Sequence, residues 1–167
     1  MAEDPDFTPA QRAGLDKHEA DQDRTLAAMH RLEAALGAAS PGREADWRGD
    51  VLGALADLGA ATSEEYENAE RPDSLLSDIK RNQPRLRNRV RGLRLQYAHL
   101  RDAITALQRE LDVQESAVTD VADMRERLAW LLTAMRHQRA RESDLIYEAY
   151  FDAFRADMAR DPGTGRP

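Results

Sequence analysis

The sequence predicts an all-α protein folded as an up-down-up-down four-helix bundle, and three observations support this prediction. Of the 167 residues, 41% are hydrophobic, 33% are charged and only 5% are aromatic, and Ala, Leu, Arg and Glu are abundant. These four residue types favour helix. Four long segments place apolar residues alternately three and four positions apart, which is the spacing of one helical face. The connections between the segments are short, so consecutive helices should lie antiparallel.

The first helix should run from about Pro9 to Leu36. Residues 1–11 are acidic and proline-containing, and we expect them to form a mobile N-terminal arm that ends at the helix-start signal Thr8 and Pro9. We assign the bundle to residues 12–157. The predicted inward face of this helix, with His18 beside it, is Leu15, Gln22, Leu26, Met29 and Leu36.

The second helix should run from about Arg43 to about Glu70. Its inward face carries a carboxylate near the C-terminal end, and we predict that this face is Trp47, Val51, Leu55, Leu58, Thr62, Glu65 or Tyr66, and Ala69. Pro72 interrupts the helical pattern because proline lacks the backbone donor that a helix interior needs. We therefore predict a short turn from Pro72 to Pro84.

The third helix, from about Pro84 to Leu111, has the clearest pattern of the chain. Tyr97 is the one polar position on its face, which consists of Leu86, Val90, Leu93, Tyr97, Leu100, Ile104, Leu107 and Leu111. Burying an unpaired hydroxyl costs ~1–3 kcal/mol, so Tyr97 needs a hydrogen-bond partner.

The fourth helix should begin after a connection near Thr119 and continue beyond Ala149. Its predicted face is Val121, Met124, Leu128, Leu131, Met135, Gln138, Glu142, Leu145 and Ala149. We expect the aromatic residues of its last turns to cover the open end of the bundle, namely Tyr147, Tyr150, Phe151 and Phe154. Residues 158–167 are rich in Gly and Pro, and we predict a disordered tail there.

One polar residue on each helix should lie at about the same height in the bundle. The helix rise of ~1.5 Å per residue converts residue number into height. Measured from the same end of the bundle, Gln22 and Tyr97 lie at one distance from their helix ends, and Glu65 and Gln138 lie at a similar one. The sequence therefore predicts a polar layer inside the bundle, formed by Gln22, Glu65, Tyr97, Gln138 and Glu142.

Two segments of the chain resemble the hemerythrin-like (HHE cation-binding) family. ENAERPDSLLSDIKRNQPRLRNRVRGLRLQYAHL is similar to that family's passage from its second helix into its third, and RARESDLIYEAYFDAF is similar to the end of its fourth helix. The resemblance implies a four-helix bundle in which histidines from all four helices, with supporting carboxylates, hold a non-haem di-iron centre.

Under this resemblance, the four inferred histidine positions are occupied by Gln22, Glu65, Tyr97 and Gln138, whereas Glu70 and Glu142 match family carboxylates. An amide is a poor ligand for iron, and a tyrosine must lose a proton of pKa ~10 to bind it. We therefore expect a degenerate site with no metal cofactor, in a protein that binds a small molecule or a protein partner.

Two alternatives for the layer stay open. A carboxylate-rich non-haem iron site could persist on Glu65, Glu70 and Glu142 with His18, for oxygen chemistry or sensing. An enzyme could instead use Tyr97, Glu65 and Glu142 as its active site, although the sequence identifies no catalytic residue. The chain has four histidines, His18, His30, His99 and His137. We expect each of them at an exposed or half-exposed position, with His18 closest to the inward face.

Composition restricts the other functional classes. The net charge of −7 argues against general nucleic-acid binding, although residues 80–94 carry seven Lys or Arg and no acid. We interpret that segment as a solvated face and leave an anionic partner open.

The chain has no cysteine, hence no disulfide or thiolate metal site. It shows no membrane-length apolar run, so we expect a soluble, cytoplasmic protein without a membrane partner. A homodimer also stays open.

Overall fold

The computed structural model describes residues 7–38, 40–113 and 120–152. These residues form no strand and are almost entirely helical, which confirms the all-α prediction. Four helices are long and one is short; in chain order they are α1 (Pro9–Gly37), α2 (Glu44–Glu70), α3 (Leu75–Asn82), α4 (Arg87–Val113) and α5 (Val121–Tyr147). A 3₁₀ turn, Pro84–Leu86, leads into α4, and a π-helical stretch, Glu148–Asp152, follows α5.

Side-chain contacts show that the four long helices run alternately up and down. Between each pair of neighbouring helices, residue numbers rise on one helix as they fall on the other. The pairs are Thr25 with Glu65 and Arg31 with Asp57 for α1 and α2, Tyr97 with Glu65 and Gln108 with Leu55 for α4 and α2, and Tyr97 with Glu142 and Glu110 with Arg127 for α4 and α5. The up-down-up-down topology thus follows from the contacts.

The start of α1 lies earlier than the predicted bundle boundary. Thr8 caps the helix, because its side chain accepts a hydrogen bond from the Gln11 backbone N–H while the Gln11 side chain accepts one from the Thr8 N–H. Residues 9 to 11, which the sequence assigned to the arm, are therefore the first residues of α1. Residues 1–6 of that predicted arm lie outside the described residues.

The short turn predicted between Pro72 and Pro84 is wrong, because α3 occupies most of it. Ser74 caps α3 by accepting a hydrogen bond from the Ser77 backbone N–H. The helix buries one apolar face, formed by Leu75, Leu76 and Ile79. Gly14 on α1 permits the close approach of α3, since a Cβ there would meet Leu75 Cδ2 at 3.3 Å. This amphipathic pattern of two turns was too short to distinguish from a turn by periodicity alone.

The buried apolar residues form two clusters that lie on either side of the polar layer. The larger cluster joins α1, α2, α4 and α5, and the smaller one joins α3 with the beginning of α4 and the end of α5. Along α4, Leu93 belongs to the smaller cluster and Leu100 to the larger one, and Tyr97 lies between them. The short helix α3 therefore closes the core beyond the polar layer.

The predicted inward faces agree with burial on α2, α4 and α5, apart from Ala69 and Val121, which are partly buried, and they disagree on α1. Seven of the eight predicted positions of the third helix lie in α4 and are buried, and the eighth, Leu86, is buried in the 3₁₀ turn that precedes it. On α1 the prediction is wrong by part of a turn: Leu15, Leu26 and Leu36 are only partly buried, and the buried residues are Asp21, Thr25, Ala28, Met29 and Leu32. Apolar residues on α1 occupy two adjacent faces, so tertiary packing and not the pattern selects the inward one.

Aromatic residues gather where α5 ends. Tyr147 is 48% exposed and stacks on Phe151 with ring centroids 5.2 Å apart, while Phe7 packs against Tyr150 at 5.4 Å. Phe154 and the predicted tail, 158–167, lie outside the described residues. Among the helices that the structure describes, none combines the length and apolarity needed to cross a membrane.

Candidate functional site

The centre of the candidate site is the Tyr97 hydroxyl, which lies between two buried carboxyl groups. Tyr97 Oη is 2.7 Å from Glu65 Oε1 and 2.6 Å from Glu142 Oε2. Helix α4 supplies the tyrosine, α2 supplies Glu65 and α5 supplies Glu142, whose side chain is 1% exposed. One hydroxyl therefore links three of the four long helices inside the core.

The proton count of this cluster follows from its geometry. A phenol carries a single proton, so Tyr97 can donate to only one of the two carboxyl groups. The other contact is a hydrogen bond only if that carboxyl group is protonated and donates to the phenol oxygen. The two short distances thus require at least one protonated carboxyl group beside the phenol, so the cluster carries at most one negative charge.

Thr25 is a member of the cluster that sequence reasoning missed. Its hydroxyl donates to Glu65 Oε2 at 2.5 Å, so both oxygens of Glu65 are occupied. Glu142 receives weaker support, because Gln22 Nε2 lies 3.4 Å from its Oε2. Since Glu65 accepts the stronger bonds, it is the better location for the negative charge, and Glu142 is the better location for the shared proton. The only signal for Thr25 was its spacing of three residues from Gln22.

Burial controls the titration of the cluster. Desolvation raises the pKa of Glu142 to about 7, and it also raises the pKa of Glu65, with a further increase from the charge of Glu142. Desolvation and the two neighbouring carboxylates raise the pKa of Tyr97 well above its usual value, so the phenol stays protonated. These directions agree with the presence of at least one protonated carboxyl group in the cluster.

The raised pKa of Glu142 makes folding stability depend on pH. Between about pH 4.5 and pH 7 the folded protein keeps a proton on Glu142 that the unfolded chain has released. The stabilisation is complete below that window and is lost as the pH rises through it. His18 affects stability in the opposite direction. Burial lowers its pKa, although the nearby Glu65 and Asp21 raise it in part, so the folded protein loses stability as the pH falls below 6.5.

His18 and Gln22 border the cluster on α1. His18 Nδ1 is 3.8 Å from Glu142 Oε1, a separation longer than a hydrogen bond. Gln22 is half-buried, and its backbone carbonyl oxygen accepts a hydrogen bond from Arg139 Nη1 at 2.9 Å, which joins α1 to α5. The remaining histidines, His30, His99 and His137, are exposed.

Two of the residues that the sequence nominated lie outside this network. Gln138 is buried, but its Nε2 donates to the Leu93 carbonyl at 3.1 Å, and its Oε1 has no partner among the described residues. Glu70 is 42% exposed and pairs with Arg94, with Glu70 Oε1 3.0 Å from Arg94 Nε. The structure therefore brings together Gln22, Glu65, Tyr97 and Glu142, with His18 beside them, and separates Gln138 and Glu70 from them.

A small cavity connects the cluster with the α1, α2 and α3 side of the bundle. It has a volume of about 30 Å³, and its polar lining includes His18, Asp21, Glu65, Asn68 and Glu142. Asp21 is another buried residue that the sequence did not predict, and it accepts hydrogen bonds from Asn68 Nδ2 at 2.9 and 3.1 Å. The cavity has room for one or two water molecules or a single small ion, since a water needs at least ~10–15 Å³.

The residues present do not fit a di-iron centre. The oxygens of Glu65, and Oε2 of Glu142, are already hydrogen-bonded, and the Tyr97 phenol keeps its proton. Within residues 7–38, 40–113 and 120–152, no three His, Cys, Asp or Glu side chains are grouped as metal ligands. The alternative set that includes Glu70 would require that residue to leave its ion pair with Arg94.

The chain was compared with protein-family models, with curated proteins and with solved structures, and nothing in these three comparisons matches it.

Proposed function

We propose that the chain is a hemerythrin-like four-helix bundle in which hydrogen bonds replace metal–ligand bonds, and that it acts as a binding module for a small molecule or a protein. The observation that supports this most directly is the position of the Tyr97 hydroxyl, at 2.7 Å from Glu65 and 2.6 Å from Glu142. A phenol there fills the space between the two carboxyl groups and satisfies both.

The size of the internal cavity favours binding at the outer surface of the bundle. A volume of about 30 Å³ excludes an organic ligand from the polar layer, because small-molecule sites usually measure ~300–1,000 Å³. The role that the geometry supports for the cluster is to hold α2, α4 and α5 in one arrangement. Buried polar networks can specify a unique packing in this way when every member is paired.

Metal titration tests this proposal. Purified protein is treated with chelator, mixed with excess Fe²⁺ or Mn²⁺ without oxygen, and heated while its helicity is followed. A ligand at ~100 times its Kd would add ~2.7 kcal/mol of stability, which raises Tm by several degrees in a domain of this size. We expect no saturable increase. An increase that saturates, and that Glu142→Gln abolishes, would overturn the proposal.

An enzyme is the second candidate, and one observation favours it. Glu142 has a pKa of about 7 and lines a cavity beside His18, and a group that titrates near neutral pH is suited to general acid–base chemistry. This candidate predicts turnover that follows a single ionisation near pH 7 and disappears in Glu142→Gln. The matched control is Asp144→Asn, on the exposed side of α5, which should leave turnover unchanged.

A further inference from the structure

The basic segment 80–94 divides into neutralised and unneutralised charges. Arg81 pairs with Asp78. Arg85 and Arg89 both pair with Glu148 of the π-helical stretch, and Arg94 pairs with Glu70. Lys80, Arg87 and Arg91 have no acidic partner within the part of the chain that the structure describes. Three cations of the predicted solvated face are thus exposed and uncompensated.

These three cations line one groove at the junction of α2, α3 and α4. The groove has a volume of about 410 Å³ and is bordered by Lys80, Arg87 and Arg91, with Asn88 beside them and with Glu70 and Arg94 at one side. Its volume lies within the ~300–1,000 Å³ that small-molecule sites occupy. It therefore differs from the cavity of the polar layer, which has room only for water or an ion.

Internal hydrogen bonds fix the wall of the groove. Arg94 Nη2 donates to the Ala69 carbonyl at 3.0 Å and to Ser77 Oγ at 2.9 Å, which joins α2, α3 and α4. Arg87 Nε donates to the Lys80 carbonyl at 3.0 Å, and this bond leaves the terminal nitrogens of Arg87 available. Arg87 and Arg91 are four residues apart, so they follow each other on one face of α4. Of the three uncompensated cations, Arg87 is therefore anchored before any ligand binds.

The apolar part of the groove adjoins these donors. Leu95 is 55% exposed, Ala98 is partly buried, and Tyr66 is partly buried beneath the Arg101 guanidinium, 4.6 Å from its ring centroid. An exposed leucine beside three uncompensated cations suits a ligand with one anionic end and one apolar end.

Charge complementarity identifies the anionic end. Four cations and one carboxylate in the groove leave a surplus of about three positive charges in a protein of net charge −7. A phosphate dianion fits this surplus, and guanidinium groups bind phosphate oxygens through paired N–H donors. We propose that the groove binds a small organic phosphate, with its phosphate on Lys80, Arg87 and Arg91 and its apolar portion on Leu95, Ala98 and Tyr66.

The test uses phenyl phosphate as the probe, measured by isothermal titration calorimetry. Wild-type protein should bind it more tightly than inorganic phosphate, and phenol should not bind. The double variant Arg87→Gln with Arg91→Gln should weaken binding about tenfold or more. The matched control is Arg85→Gln with Arg89→Gln, which removes the same charge from neighbouring positions that face Glu148 and should change the affinity less than about twofold.

A second variant separates the two ends of the ligand. Leu95→Gln should weaken phenyl phosphate binding and leave inorganic phosphate binding unchanged, and because Leu95 is exposed the fold should be retained. The proposal is overturned if phenyl phosphate fails to bind at about 1 mM, or if both double variants lose affinity equally. It is also overturned if the protein prefers an oligonucleotide or phosphatidic acid vesicles to phenyl phosphate. Iron content does not enter this test, so the groove and the polar layer are tested separately.

Discussion

Removing one oxygen atom from the core tests the role of the Tyr97 hydroxyl. Tyr97→Phe keeps the aromatic ring between the two apolar clusters and removes both contacts to the carboxyl groups. Among the described residues, Glu65 then retains a hydrogen bond only with Thr25, at 2.5 Å, and Glu142 only with Gln22, at 3.4 Å. A buried hydrogen bond to a charged group is worth about 1.5–3 kcal/mol and one between neutral groups about 1 kcal/mol, so we expect a loss of about 3 kcal/mol.

Urea and thermal unfolding at pH 7, followed by circular dichroism, measure this loss. In a domain of this length each kcal/mol corresponds to about 2–4 °C, so Tm should fall by about 6–12 °C. Tyr147→Phe is the matched control, because Tyr147 is 48% exposed and has no hydrogen-bonded hydroxyl within the described ranges. Its effect should stay within about 0.5 kcal/mol. If Tyr97→Phe also costs less than about 1 kcal/mol, the hydroxyl does not hold the carboxyl groups.

Three further predictions concern stability. As the pH rises from 4.5 to 7, the free energy of unfolding of the wild-type protein should fall by up to about 3 kcal/mol relative to that of Glu142→Gln. Urea unfolding across this pH range measures the difference, and parallel pH dependences for the two proteins would contradict the raised pKa. Thr25→Val should cost about 1–3 kcal/mol and raise the pKa of Glu65 further, because the Thr25 hydroxyl lowers that pKa. Carbon-13 NMR of the carboxyl groups would detect the second effect, and an unchanged titration would refute it. Ser74→Ala should cost about 1 kcal/mol by removing the cap of α3, and hydrogen exchange should show faster opening of α3 than of α4.

The sequence predicted most of the fold because the inward faces of α2, α4 and α5 are distinct. Periodicity identified every buried position of α4, including Tyr97, because one aliphatic stripe dominates that helix. The same reasoning failed on α1, where Thr25 and Asp21 are buried in place of Leu26. A helix with two weakly apolar faces is oriented by its neighbours, and a single sequence does not contain that information.

The membership of the candidate site could be predicted only in part. Helix heights brought Glu65 and Tyr97 to the level of Gln138, and the structure joins the first two through the phenol to Glu142, which lies one turn beyond Gln138 on α5. The direction of each side chain depends on rotamers and competing acceptors, which is why Gln138 donates to the Leu93 carbonyl instead. The groove could not be predicted, because it depends on α3 and on which arginines pair with Glu148 and Glu70.

The most direct test of the central claim is the metal content of the protein. The chain should be purified from iron-replete cells without chelator, and its iron, manganese and zinc should be measured together with its visible absorption. We expect far less than one metal ion per chain and no absorption from an oxo bridge, because the Tyr97 hydroxyl occupies the space between Glu65 and Glu142. About two irons per chain with an oxo-bridge absorption, as the family resemblance would otherwise imply, would contradict the account.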